Sequence, residues 1–140
     1  MLLEAGVEVD RATTDNGCTP LIQASTQGFA DMVELLLDHE ADVNKPKHNG
    51  VTALFCAAQQ GWVGVARVLL ERQADTELCD QQGLGPLIMA AWDGHLKVVE
   101  LLLAHGADIH RQSTWGTALS FAKKNGHEEV AALLRAHGAT

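Results

Sequence analysis

A period of 33 residues runs along the chain and restricts it to folds built from repeated units. One glycine series keeps this spacing at Gly17, Gly50, Gly83 and Gly116. A second series keeps it at Gly28, Gly61 and Gly94, and Gly126 follows one residue early. The leucine-rich blocks 35–37, 68–70 and 101–103 repeat in the same way. Because separate landmarks share one period, the sequence predicts stacked copies of a single small unit, with one deletion just after Gly116.

Each unit is predicted to form two short helices, and the first full unit shows the pattern best. Thr19 can cap the free backbone N–H groups of a first helix, and Pro20 suits the position that follows. That helix is expected to stop at Gly28. A second helix is expected from Asp31 to about Asp38, because the apolar residues there form a broad stripe at helical spacing.

Three short motifs in these units resemble the ankyrin repeat family. They are Gly-x-Thr-Pro-Leu at 17–21, Ala-Ala-x-x-Gly-His at 90–95 and Leu-Leu-Leu-x-x-Gly-Ala-Asp at 101–108. The resemblance covers the whole chain, and the period of that family is the one found here. It implies an all-α solenoid of antiparallel helix pairs with projecting hairpin-like loops, in which loops and first helices line a concave groove.

The resemblance makes residues 1–140 a single ankyrin-repeat domain of five units. A partial repeat at 1–13 is followed by full repeats at 14–46, 47–79 and 80–112 and by a C-terminal capping repeat at 113–140. The family's Thr-Pro-Leu-His motif loses its histidine in every unit, where Ile22, Phe55, Ile88 and Ser120 stand instead. The three apolar residues are therefore expected to pack in place of that histidine and its hydrogen bond.

The end units are expected to differ from the middle ones. Lys123 and Arg135 stand where other units have small or apolar residues, and a charge sandwiched between units would be costly. Their side chains should face water, so the last unit is predicted to cap the array. The first unit lacks its first helix, which suggests a truncated piece with a partly bare apolar edge. Two consequences are possible: residues 1–10 are mobile, or the bare edge pairs with a second copy of the chain. Of the oligomeric states, a monomer is expected.

Charge and cysteine usage argue against several classes of protein. With 18 acidic against 10 basic residues the formal charge is −8, so nucleic acid is not an expected partner. The apolar runs are too short to span a membrane. Cys18, Cys56 and Cys79 have no CxxC spacing, and the first ten residues do not form a signal peptide. Reduced thiols in the cytoplasm or nucleus are the simplest interpretation.

Nothing in the sequence indicates an enzyme, a metal site or a cofactor. No nucleophile motif such as GxSxG is present, and the seven histidines are scattered over repeat positions. His95 and His127 occupy a position that is usually structural in the family. His39, His105 and His137 recur in the loop after the second helix, which the stack is expected to leave solvated.

A repetitive concave surface favours binding of another protein or an extended peptide. The resemblance places that surface at the loop residues around the first glycine series and at the ends of the first helices. In the first two full units these residues are Asp15, Asn16, Cys18, Thr26, Gln27, His48, Asn49, Val51, Gln59 and Gln60. In the last two units they are Gln81, Gln82, Leu84, Trp92, Asp93, Thr114, Trp115, Lys124 and Asn125.

The tryptophans allow two interpretations. Trp is enriched among residues that dominate binding energy, which favours Trp92 and Trp115 as anchors for a partner. Alternatively, Trp92 lies flat on a neighbouring helix and Trp115 braces the shortened last loop. Trp62 aligns with His95, and packing between helices is the expected role there. The glutamines are equally compatible with plain solvated surface.

Two further hypotheses concern charge and modification. The acids recur on loops and outer helices as a solvated edge, which would also speed the encounter with a basic partner. The segment 36–44, Leu-Leu-Asp-His-Glu-Ala-Asp-Val-Asn, resembles the loop that an asparaginyl hydroxylase modifies in ankyrin repeats. This makes Asn44 a candidate for hydroxylation, with Asp10, Glu77 and His110 as the equivalent positions.

The sequence thus predicts a non-catalytic interaction module that binds through the concave face. The alternative is a spacer or assembly module within a larger ankyrin-repeat protein, stacking through its N-terminal edge.

Overall fold

The computed structural model describes residues 9–140 and shows a row of helix pairs joined by short turns. The first helices of the pairs are α1 (Pro20–Gln27), α3 (Ala53–Gln60), α5 (Pro86–Trp92) and α7 (Ala118–Lys124). The second helices are α2 (Ala30–Asp38), α4 (Val63–Glu71), α6 (Leu96–Ala104) and α8 (Glu128–Ala136). The only two strands in the described part of the chain are β1 (Gln112–Ser113) and β2 (Gly116–Thr117). The fold is therefore the predicted all-α helix-pair solenoid.

Three of the four first helices begin directly after a threonine whose hydroxyl caps them. The Thr19 hydroxyl accepts a hydrogen bond from the Ile22 N–H of α1, and Thr52 and Thr117 do the same for α3 and α7. Such a cap satisfies one of the four N–H groups that lack a partner at a helix start. The position before α5 is Gly85, which has no such side chain, and Pro86 starts that helix without an N–H to satisfy.

The helices form two layers. Helices α1, α3, α5 and α7 pack side by side in one layer, while α2, α4, α6 and α8 follow in the other. The first layer is lined with small residues such as Ala57 and Ala90, both fully buried, which lets neighbouring helices approach closely. Leucines of the second layer, such as Leu69 and Leu102, fill the space between pairs and are also fully buried. The core is continuous from pair to pair because each unit covers the next.

The expected replacement of the family's histidine is confirmed. Ile22, Phe55 and Ile88 are all buried in the core. In the last unit the exposed Ser120 instead accepts a hydrogen bond from the Thr117 N–H, while the Ser120 N–H donates to the Thr117 hydroxyl. This reciprocal capping box fixes the start of α7 by polar contacts rather than by packing.

The last turn is the most regular of the loops. Strands β1 and β2 pair antiparallel, with Gln112 opposite Thr117 and Ser113 opposite Gly116. The Ser113 hydroxyl donates to the Gly116 carbonyl and accepts from the backbone N–H of Trp115. The hairpin therefore holds Trp115 at its tip.

The charges of the last unit face water as expected, since Lys123 and Arg135 are both exposed. At the other end, the prediction of a bare edge with mobile residues 1–10 falls largely on residues 1–8, which lie outside the described residues. No helix in residues 9–140 is long and apolar enough to cross a membrane.

One buried hydroxyl in α1 offers a test of the packing. Ser25 is fully buried, and its Oγ is without a hydrogen-bond partner among the described residues, whereas the same position holds Ala58 and Ala91 in the next two units. An unpaired buried hydroxyl costs about 1–3 kcal/mol. We expect Ser25→Ala to raise the free energy of unfolding by about 1 kcal/mol. An unchanged or lower urea midpoint would contradict this.

Candidate functional site

Ring side chains join each of the last three units to the one before it. The Nε1 of Trp62 donates to the Thr26 carbonyl oxygen at 2.9 Å, and the ring covers Gly28. His95 repeats this arrangement with the Gln59 carbonyl at 3.0 Å, and His127 with the Trp92 carbonyl at 2.9 Å. Because a carbonyl oxygen can only accept, both His Nε2 atoms carry the proton. The predicted packing role of Trp62 and the structural roles of His95 and His127 are confirmed.

Polar side chains make a second series of links between the loops after the second helices. The Asp10 carboxylate accepts from the N–H of Asp42 at 3.0 Å. Asn44 Oδ1 accepts from the N–H of Asp75 at 2.8 Å, and the Glu77 carboxylate from that of Asp108 at 3.0 Å. Asp10, Asn44 and Glu77 are therefore equivalent in their contacts.

The histidines after the second helices close those helices. The Nδ1 atoms of His39, His105 and His137 each donate to the carbonyl four residues earlier, at 2.9–3.0 Å, and all three side chains are exposed as expected. In residues 9–140 no group of three or more His, Cys, Asp or Glu side chains is arranged to hold a metal ion.

An aromatic groove lies at the C-terminal end of the inner face. We define the inner face as the turn tips around Gly17, Gly50, Gly83 and Gly116 together with the C-terminal ends of α1, α3, α5 and α7. The groove has a volume of about 450 Å³. It is lined by Trp92, Trp115, Ser120, Phe121, Lys124 and Asn125. The structure thus brings together four of the residues selected from the sequence.

Two elements from neighbouring units position the rings of this groove. Trp92 at the end of α5 stacks on Phe121 of α7, with ring centroids 4.5 Å apart and planes inclined by 17°. Phe121 is buried, while Trp92 is 36% and Trp115 60% exposed. Trp92 therefore lies flat on a neighbouring helix, as the second interpretation expects, and part of its surface remains open to solvent. Trp115 lies mostly in solvent.

Some polar groups at the aromatic groove have hydrogen-bond partners within the protein, and others have none among the described residues. Asn125 Nδ2 donates to the Trp92 carbonyl at 3.0 Å, which holds the amide in place. The Ser120 hydroxyl is fully engaged with Thr117. The indole N–H groups of Trp92 and Trp115 and the Lys124 ammonium make no hydrogen bond or ion pair with the described residues.

A smaller polar groove lies at the opposite end of the inner face. It has a volume of about 310 Å³. Its lining includes Asp15, Asn16, Cys18, Thr26, Gln27 and Lys47. The Thr13 side chain and the backbone N–H of Asn16 hold the pKa of the Asp15 carboxyl below its ordinary value. Asp15 therefore stays ionised to a lower pH than an ordinary aspartate does.

Other residues selected from the sequence lie on the surface outside both grooves. The exposed members of this set are His48, Asn49, Gln59, Gln60, Gln81, Gln82, Asp93 and Thr114. Some of them tie the turn tips together. The His48 N–H donates to the Asn16 carbonyl at 2.9 Å, and the Thr114 N–H and hydroxyl both donate to the Gln82 carbonyl.

Two of the sequence-based assignments are wrong. Val51 and Leu84 are each only 8% exposed and belong to the core rather than to the inner face. Each follows the turn glycine and leads into a helix start, so its apolar side chain turns inward. Phe121 and Ser120 were missed. Their signal was an aromatic and a hydroxyl at positions where the preceding unit has Met89 and Ile88.

The three free cysteines differ in access, which gives a second prediction. Cys56 is 6% exposed, and burial raises the pKa of its thiol, whereas Cys18 and Cys79 are partly exposed. Because the thiolate is the reactive form, iodoacetamide should label Cys18 and Cys79 before Cys56 under native conditions. Mass spectrometry of peptides at successive times measures the order, and equal labelling of Cys56 would contradict it.

The raised pKa of the Cys56 thiol also fixes the sign of a pH dependence. The contribution of this thiol to stability is complete below its pKa in the unfolded chain. That contribution is lost as the pH rises through the higher pKa that the thiol has in the folded protein. Stability should therefore fall on the alkaline side through this group.

Comparison with known proteins agrees with this architecture. The family model described as ankyrin repeats (3 copies) matches residues 1–80, 39–113 and 87–140. A search of curated proteins finds no match. The stacked helix pairs define a repeat protein of the solenoid class. The chain belongs to the ankyrin repeat family, whose members are in general non-catalytic modules for protein–protein interaction.

Proposed function

We propose that this chain binds a partner protein or an extended peptide through its inner face and catalyses no reaction. The aromatic groove carries the proposal. It offers two exposed tryptophans, of which Trp92 stacks on the buried ring of Phe121, and together these rings form an apolar surface open to solvent. Trp side chains are prominent among binding hot spots, and the groove is concave enough to enclose a partner side chain.

The rest of the inner face suits an extended segment. Its exposed residues are mostly amides, which both donate and accept and can therefore pair with a peptide backbone. The glutamines of α3 and of the turn after α4 lie between the polar and the aromatic groove along the row of units. A segment anchored in the aromatic groove could thus be followed across them.

Selection of peptides and nuclear magnetic resonance test this proposal. Short random peptides are selected on the immobilised protein and then titrated into ¹⁵N-labelled protein. The three tryptophans give three indole signals, and we expect those of Trp92 and Trp115 to shift while that of Trp62 stays. Trp62 is a built-in control because its N–H is bound to the Thr26 carbonyl. Unmoved Trp92 and Trp115 signals would contradict the proposal.

A spacer or assembly role is the second candidate, and one observation favours it. Phe29 is 57% exposed and lines a cavity of about 230 Å³, whose other lining residues are Pro20, Gln23, Ala24, Gln27 and Met32. Trp62, His95 and His127 occupy the same position in the later units and cover the unit before. Sedimentation velocity over a range of concentrations tests self-stacking. Association that Phe29→Lys abolishes would support it, and a monomer at all concentrations would contradict it.

We also propose Asn44 as a site of hydroxylation. Its side-chain amide oxygen accepts from the Asp75 N–H, and its backbone N–H donates to the Asp42 carboxylate at 2.9 Å, so the side chain is held in a fixed position at the loop. Mass spectrometry of protein isolated from its native cells should show one added oxygen on the peptide containing Asn44. Its absence would contradict the proposal.

A further inference from the structure

The groups left free in the aromatic groove are almost all hydrogen-bond donors. They are the indole N–H of Trp92, that of Trp115 and the ammonium of Lys124, and none has a partner among residues 9–140. The Asn125 amide oxygen is the one free acceptor of the lining side chains, because its NH₂ group is held by the Trp92 carbonyl. No carboxylate lines the groove. A ligand that supplies acceptors therefore matches it better than one that supplies donors.

The charge of the groove has the opposite sign to that of the protein. The chain carries a formal charge of −8, yet the one charged side chain that lines the groove is Lys124. The ion pairs in the described part of the chain are Arg72–Asp38 and Arg111–Glu77, and neither involves this lysine. Lys124 is thus a local positive site beside three rings.

We infer that the aromatic groove recognises an acidic peptide segment, in which a large apolar side chain is flanked by carboxylates. The apolar side chain would lie against Trp92, Trp115 and Phe121. A neighbouring carboxylate would accept hydrogen bonds from Lys124 and from an indole N–H, which are charge-assisted contacts. This inference rests on the proposed function and specifies the chemistry of the partner.

The net negative charge of the protein does not outweigh this local match. At about 0.15 M salt the Debye length is about 8 Å, so distant acids are largely screened while a direct contact with Lys124 is not. The partner therefore differs from the basic one that net charge alone would suggest.

Lys123 provides a matched control. It lies next to Lys124 in the last turn of α7, is exposed, and does not line the groove. Both lysines interact favourably with the carbonyl end of the helix, so either replacement removes the same general effect on stability. Only Lys124 is placed to contact a ligand in the groove.

Three fluorescent peptides with a Phe anchor in a Gly/Ser background test the inference. The anchor is flanked on both sides by Glu, by Gln or by Lys. At about 0.15 M salt we expect the Glu peptide to bind about fivefold more tightly than the Gln peptide, and the Lys peptide to bind most weakly. The Lys124→Gln variant should lose this preference, whereas Lys124→Arg and Lys123→Gln should keep it.

The remaining outcomes separate this inference from the proposed function. Equal binding of all three peptides, with shifted indole signals of Trp92 and Trp115, would overturn the acidic preference and leave groove binding intact. The tightest binding by the Lys peptide would overturn it in favour of a basic partner. If no peptide moves these two signals at millimolar concentration, both the inference and the proposed groove are wrong.

Discussion

The double variant Trp92→Ala, Trp115→Ala is expected to lose all measurable affinity for a groove-bound peptide while it keeps its helical content. Truncating a tryptophan anchor costs about 2 kcal/mol or more of binding free energy, which is about 30-fold in affinity for each residue. Fluorescence anisotropy with a selected peptide measures the affinity, and circular dichroism checks the fold.

The two single variants should differ in stability because the side chains differ in packing. Trp115 is 60% exposed at a hairpin tip, so its removal should change the free energy of unfolding by less than about 0.5 kcal/mol. Trp92 stacks on Phe121, and an aromatic pair contributes about 0.5–1.5 kcal/mol beyond the area it buries. Trp92→Ala should therefore lower the urea midpoint, and Trp115→Ala should not.

Trp62→Phe is the control for these variants. Its ring can still cover Gly28, and only the hydrogen bond to the Thr26 carbonyl is lost. Because Trp62 lies outside the aromatic groove, its replacement should leave peptide affinity unchanged. Unaltered binding by the double variant, or an equal loss with Trp62→Phe, would contradict the groove as the site.

The fold was predictable because its signals are local and repeated. The glycine that follows the first helix and the leucines of the second helix recur in each full unit, and a capping threonine such as Thr19 recurs in three of the four. Because the signals are repeated, a unit in which one of them is missing can still be recognised from the others. The end charges Lys123 and Arg135 were predictable for the same reason, since they break a pattern that three earlier units establish.

The groove was only partly predictable because it depends on contacts that do not follow the period. The repeat places Trp92 in register with Lys124, but its ring stacks on Phe121, almost one helical turn earlier. Val51 and Leu84 were misplaced since loop positions give no periodicity from which the direction of a side chain can be read. Which side chains of neighbouring units contact each other cannot be read from the repeat period alone.

Gly94→Ala is expected to be strongly destabilising. A Cβ at Gly94 would lie 2.5 Å from Nδ1 of His127, so the ring must move and its hydrogen bond to the Trp92 carbonyl must break. The expected cost is about 3–5 kcal/mol, from left-handed strain, overpacking and the lost bond together.

Gly126→Ala separates the steric effect from the backbone strain. Both glycines have a φ of 75°, but a Cβ at Gly126 would meet nothing within 4 Å. This variant should therefore cost only the strain of the left-handed conformation, about 1–2 kcal/mol. Chemical denaturation compares the two variants, and equal losses of stability would show that the ring contact contributes nothing.

Gly94→Ala should also affect the aromatic groove, because one carbonyl oxygen binds both the displaced ring and a residue of the groove. The Trp92 carbonyl accepts from His127 and from Asn125 of the aromatic groove, so displacement of His127 loosens the backbone that carries the Trp92 ring. Gly61→Ala makes an equivalent clash with His95, whose partner is the Gln59 carbonyl outside that groove. Where both variants remain folded, the affinity for a short peptide that fills only the aromatic groove should fall more for Gly94→Ala than for Gly61→Ala, because only the first disturbs the support of Trp92.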